Sequence, residues 1–164
     1  MINLKRPQIV AAMIGLGATG LMATPTIASP PSNVTITNYA TADLDAADHI
    51  NSDRIKFQIK GPTDLRMQQL VFGANSTTGW HHHPGMVIVM VASGTMEIWD
   101  TSCAKKAYGP GSPNGQVFIE ALPHAHQATS ATGATAYVTY VVPSASPPVF
   151  RVEENVPFCA QPAP

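Results

Sequence analysis

The chain has 164 residues, 45% of them hydrophobic and 12% charged, with 15 Pro, 12 Gly and 2 Cys. That length suits one domain with a real core, and the low charge density excludes a charged disordered chain. Nine Lys+Arg against ten Asp+Glu leave a formal charge of -1, so there is no electrostatic footprint for nucleic acid.

The first eight residues hold Lys5 and Arg6 and no acid, Ile9 to Ala23 run without a charge, and ATPTIASPP follows. Basic end, apolar stretch and small-residue cut site are the layout of a secretory signal. We place it at residues 1–28, with cleavage after Ala28. The apolar stretch falls short of the roughly 20 residues that span a bilayer; an uncleaved anchor is the alternative. Gly15, Gly17 and Gly20 spell G-x-G-x-x-G, but no strand–turn–helix unit surrounds them, so the dinucleotide reading is rejected. Removing the leader leaves 7 basic and 10 acidic residues and a formal charge of -3. The expected location is secreted or periplasmic, with no stable membrane insertion. In such an oxidising compartment Cys103 and Cys159 are expected to pair. That bridge closes a loop of about 55 residues, stabilises by roughly 4 kcal/mol and pins the C-terminal tail. Two buried thiols are the alternative.

From residue 29 the pattern is of strands. VTITNY (34–39) is β-prone and leads into a polar, acidic stretch. RIKFQIK (54–60) alternates polar and apolar, the period of a half-buried strand. Residues 65–72 form the next strand. MVIVMV (86–91) is apolar throughout and is expected to be buried on both faces. Residues 95–100 pair back after a Ser-Gly turn, GPGSPNG marks a loop, and 116–120, 124–130 and 134–142 read as three further strands. No helical period occurs, which predicts an all-β antiparallel barrel or sandwich. We divide the chain into the leader, an N-terminal extension over 29–53, a barrel domain over 54–142 and a Pro-rich tail over 143–164.

Five of the six histidines form two clusters, His81-His82-His83 and His124-x-His126. On a strand His81 and His83 share a face and His82 takes the other. Two imidazoles so placed can hold one ion, and a third from a neighbouring strand leaves positions open for water or substrate. No P-loop, no G-x-S-x-G and no glycosidase-like carboxylate pair is present, which removes support for nucleotide-dependent and hydrolase readings.

TGWHHHPGMVIVMVASGTMEIWD and GQVFIEALPHAHQATSATG resemble the two motifs of the cupins. Against the first, G-x5-H-x-H-x3-4-E-x6-G, His81, His83 and Gly94 match. Asn75 replaces the first Gly, a mild change because Asn tolerates positive φ. Val87 stands where the metal-binding Glu is expected. Against the second, G-x5-P-x-G-x2-H-x3-N, Gly115 and His126 match, while Ala121, Pro123 and Ser130 depart. The resemblance implies a small antiparallel double-stranded β-helix, or jelly-roll barrel, with His81, His83 and His126 as metal ligands, and a homodimer by the same likeness. Without the Glu, three neutral imidazoles leave a divalent ion at +2. Fe, Mn, Zn, Ni and Cu all suit imidazole.

A carboxylate or amide can enter from elsewhere. Glu97, Glu120, Gln68 and Gln69 are the candidates, and each is expected to face solvent. His82 is expected at the surface or behind the site, and His124 is an alternative to His126. Trp80 and Trp99 are expected in the core or at the barrel rim, and one of Tyr137 and Tyr140 faces inward. Two functions fit: a metal-dependent oxidoreductase (dioxygenase-like) or isomerase on a small molecule, and a non-catalytic metal- or ligand-binding scaffold.

Overall fold

A computed structural model describes residues 29–45, 47–121 and 123–160, apart from the side chain of Cys159. The leader assigned to 1–28 lies outside the described residues, and so does one half of the expected Cys103–Cys159 bridge. No described cysteine is free. No helix among the described residues is long and apolar enough to cross a membrane.

The described chain is all-β. In order the strands are β1 (Ser32–Leu44), β2 (Asp48–Asn51), β3 (Lys56–Ile59), β4 (Thr63–Thr77), β5 (His81–His82) and β6 (Met86–Gly94). They continue with β7 (Met96–Asp100), β8 (Lys105–Tyr108), β9 (Val117–Glu120), β10 (His126–Ser130), β11 (Ala134–Pro143) and β12 (Val152–Glu153). β2 and β3 form a separate hairpin; the other ten make one antiparallel sheet, nearly closed into a barrel. The strand expected over 54–60 is thus reduced to β3, away from the main sheet.

β4 turns the corner of the barrel. Its residues 63–72 run between β1 and β11, while Ser76 and Thr77 pair with β10. The chain then bends at Gly79 and continues as β5, again beside β10. Gly79 has φ 69°, and a Cβ there would collide with the carbonyl of Ser29, so only glycine fits the bend. This bend aims the triple-histidine run inward.

The segments outside the expected 54–142 domain also enter the barrel. Residues 32–44, from the assigned extension, pair along β4 from Leu44 opposite Thr63 to Ser32 opposite Thr77. From the tail, Phe150 joins the core at 5% exposure and β12 pairs with β5.

The core lies between the two halves of the sheet. It is built by period-2 faces: Val87, Val89 and Val91 of β6 and Ala136, Val138, Tyr140 and Val142 of β11 all point inward. Full burial of such aliphatic side chains contributes about 1.5–3 kcal/mol each. MVIVMV is therefore buried on one face only. Met90 is 50% exposed on the outer side of β6 among the described residues, and the expectation of two buried faces is corrected.

Candidate metal centre

Three pieces of backbone place the histidines. His81 in β5 lies opposite His126 in β10, so the two rings share the inner face. His83 follows two residues after His81 and returns to that face. Ring centroids are 4.4 Å apart for His81–His126, 4.8 Å for His81–His83 and 5.2 Å for His83–His126. One ring nitrogen from each lies within 4.8 Å of the others, and His81 and His83 are buried.

The tautomers follow from the partners. His81 Nδ1 is 2.8 Å from the Gly79 carbonyl, His83 Nδ1 is 2.6 Å from that of Phe150, and His126 Nδ1 is 3.0 Å from that of His124. A carbonyl oxygen only accepts, so each Nδ1 donates its hydrogen. Each Nε2 is then left with a lone pair. Backbone carbonyls orient metal-binding imidazoles in this way.

Glu120 completes the wall. Its Oε2 lies 3.2 Å from His126 Nε2 and 3.7 Å from His83 Nε2. The expectation that Glu120 faces solvent is corrected: β9 pairs with β6, and Glu120 falls directly opposite Val87 on the inner face. Burial pushes its carboxyl up to about 7. Burial, together with the neighbouring imidazoles and Arg151, lowers His81 to about 2. Burial, assisted by His126 and Arg151, lowers His83 to about 4, against a raising hydrogen bond to Phe150; His126 is lowered mainly by burial. The centre is thus a set of neutral imidazole lone pairs and a carboxyl oxygen converging on one space. All are acceptors, so a proton or a cation must lie among them.

The donor set fits a divalent metal. Ions bound by imidazole sit at about 2.0–2.1 Å from each nitrogen. In tetrahedral geometry two such nitrogens stand about 3.4 Å apart, so a trio whose nitrogens lie within 4.8 Å of one another would close by up to about 1.4 Å on binding. His81, His83, His126 and Glu120 border an interior space of about 40 Å³ whose remaining lining is mainly apolar. On one side Glu120 and His126 also wall a surface cavity of about 480 Å³. On the other, His81 and His83 reach a cleft of about 180 Å³ with Arg66, Arg151 and Tyr140.

The other candidates lie elsewhere. His82 turns away and pairs with Glu154 at 2.6 Å. The ring of His124 stays outside the trio, although its carbonyl holds His126. Glu97 pairs with Lys105, and Gln69 donates to the Tyr137 hydroxyl. Gln68 is also corrected: it is buried and donates to Asn38. Tyr140 faces inward, with its ring 5.2 Å from that of His83. Trp80 is in the core, and half-buried Trp99 donates to Thr129. Asn75 holds φ 55°, as expected for its place in the first motif.

The histidine trio falls at the positions that the resemblance to the two cupin motifs marks as ligands. No protein-family model and no curated protein matches the chain. Among solved structures, a cupin superfamily protein from Desulfitobacterium hafniense aligns over 71% of this chain and 84% of its own, at 12% identity and TM-score 0.47. Salicylate 1,2-dioxygenase from Pseudoaminobacter salicylatoxidans aligns over 69% of this chain and 26% of its own, at 13% identity and TM-score 0.45. An oxalate oxidase aligns over 52% of this chain and 51% of its own, at 18% identity and TM-score 0.39. The chain thus spans about a quarter of the dioxygenase and half of the oxidase. The chemistry of the centre follows from its own residues.

Proposed function

We propose that the protein binds one divalent metal ion through Nε2 of His81, His83 and His126, with Glu120 beside it. We further propose that it is an exported metal-dependent oxidoreductase or isomerase of a small molecule. The observation that carries this is the set of fixed tautomers: three backbone carbonyls take the Nδ1 hydrogens and leave three lone pairs turned toward one another. A bound divalent ion would supply Lewis acidity toward an oxygen group of the substrate and, if redox-active, one-electron chemistry.

The residues of the chain do the rest. The imidazoles are held neutral by burial, so they meet an incoming cation without first losing protons. Glu120 sits where the interior space meets the 480 Å³ cavity. Its carboxyl is placed to take a proton from a substrate entering there, or to return one. The apolar wall around it, Val87, Val89 and Phe118 among others, excludes water from the reacting groups. A carboxyl in that place favours the enzyme over the scaffold, because a passive binding barrel has no use for an acid–base group facing its mouth. Residues 1–28 carry the leader pattern on which the proposed export rests, and pairing of Cys103 with Cys159 is part of the same reading.

The test is elemental analysis of the purified protein, before and after reconstitution with Mn, Fe, Ni, Cu or Zn, beside His83→Ala. Near-stoichiometric metal that disappears in the variant is the expected result. A reconstituted protein holding less than about a tenth of an equivalent would overturn the metal centre and leave the scaffold reading.

A further inference from the structure

We propose that the 480 Å³ cavity outside the metal centre is the substrate pocket, and that it takes a small organic carboxylate with a flat apolar body, its charge held by Lys106. The volume is that of a small-molecule site. Its walls divide into three zones. The inner end is Glu120 and His126, the middle is apolar with Ile98, Tyr108 and Phe118, and Lys106 stands in the wall with them.

The register places Lys106. In the β7–β8 ladder Lys106 lies opposite Ile98, and Tyr108 lies opposite Met96. Met96 and Ile98 both line the interior space. Residues directly opposite in a ladder share a face, so Lys106 and Tyr108 rise from the inward side of β8. Lys106 is itself exposed where it lines the cavity. Its neighbour Lys105 also lines the cavity but is already engaged: it is 2.7 Å from Glu97 and lies over the Trp99 ring at 4.9 Å. Lys106 takes part in none of the ion pairs among the described residues. Asp100 lines the same cavity and interacts electrostatically with Lys106, but its carboxylate is already engaged by Ser102 and Ala104. The exposed ammonium can meet a ligand in the cavity. In the same lining Tyr108 and Phe118 stand with ring centroids 4.5 Å apart and offer an aromatic surface to a planar body. The cleft on the opposite side holds two cations but is smaller; its Arg66 is stacked on Phe150 at 3.7 Å and its Arg151 is paired with Glu153.

This inference rests on the metal-centre reading only for which end of the ligand faces the histidines. The probe is benzoate, with benzamide as its uncharged counterpart, titrated calorimetrically into chelator-treated protein. Benzoate is expected to bind saturably and benzamide far more weakly. Lys106→Met should weaken benzoate by at least about tenfold, the scale of a lost charge-assisted hydrogen bond, while Lys106→Arg retains it. Benzamide should not respond to either change, and Arg66→Met should leave benzoate binding in place. No saturable benzoate binding, equal binding of benzamide, or loss on Arg66→Met instead of Lys106→Met would overturn the proposal. The same titrations on His83→Ala separate the two readings. Benzoate bound through Lys106 in a protein that holds no metal supports the pocket and sinks only the metal centre.

Discussion

Val87 and Glu120 face each other across the β6–β9 ladder, both on the inner side of the barrel. The first motif places an acid at position 87; this chain has Val there, 1% exposed, and an acid on the adjoining strand at the same level. The carboxyl has in effect crossed one strand. It remains within 3.2 Å of His126 Nε2 and 3.7 Å of His83 Nε2.

The pairing predicts a rescue. Glu120→Val should weaken metal binding about 10–100-fold, the usual effect of losing a group beside the ligands. Val87→Glu combined with Glu120→Val returns an acid to the same level from the opposite strand and should recover most of that loss. Competition with a metallochromic indicator measures both, with circular dichroism to confirm the fold. A double variant no better than Glu120→Val would show that the acid's strand matters as well as its level.

Removing one imidazole should separate metal binding from folding. His83→Ala deletes a ligand and leaves the Phe150 carbonyl without its donor. A buried acceptor so orphaned costs about 1–3 kcal/mol. Urea denaturation of metal-free protein should show a loss of that size, whereas metal retention should disappear altogether. Zinc should raise the melting temperature of the unaltered protein and leave the variant unmoved.

The trio was legible in the sequence because its spacing is local and chemically distinctive: two histidines two residues apart, and a third in a second motif. Glu120 was not, because VFIE reverses the usual pattern. Its apolar members Val117 and Ile119 point outward at 50% and 60% exposure, while the acid shares the inner face with Phe118. Alternation alone assigns the acid to water. β5 and β12 have two residues each and carry no periodic signal; only tertiary pairing creates them, β5 with β10 and β12 with β5. The long β1 was read in part, from VTITNY, but nothing local shows that it continues through the polar residues as far as Leu44. Pairing with β4 carries it that far.

The buried imidazoles also set how the metal-free protein responds to acid. His81 and His83 have folded values of about 2 and about 4, and His126 is lowered as well. An unfolded histidine titrates near 6.5. Between those values the unfolded chain binds more protons, so stability contributed by each imidazole is present above about 6.5 and is lost as the pH falls. Glu120 acts in the opposite sense. Its folded value of about 7 exceeds that of an unfolded Glu, so its contribution is lost as the pH rises through about 7. Three imidazoles outweigh one carboxyl in the overlapping range. The melting temperature of chelator-treated protein should therefore fall on going from neutral pH to about pH 5. His81→Asn should flatten that slope. A melting temperature that is level or rises on acidification would count against buried neutral imidazoles.

Phe150 links the tail to the metal centre, and its removal should be felt in both. The side chain is 5% exposed, packs edge-on to Tyr140 at 5.9 Å between ring centroids and carries the Arg66 guanidinium at 3.7 Å. Its carbonyl fixes the His83 tautomer. Phe150→Ala leaves a cavity and costs about 3–5 kcal/mol on that account. The carbonyl itself survives the substitution, but the segment that holds it loses its anchor, so His83 is released to rotate. Metal affinity should fall along with stability, and Phe150→Leu, which refills most of the space, should restore much of both. Denaturation and metal titration on the same two variants provide the check. A Phe150→Ala protein that is destabilised yet binds metal as tightly as before would show that β12 and the ion pair of His82 with Glu154 position the histidines without help from the aromatic anchor.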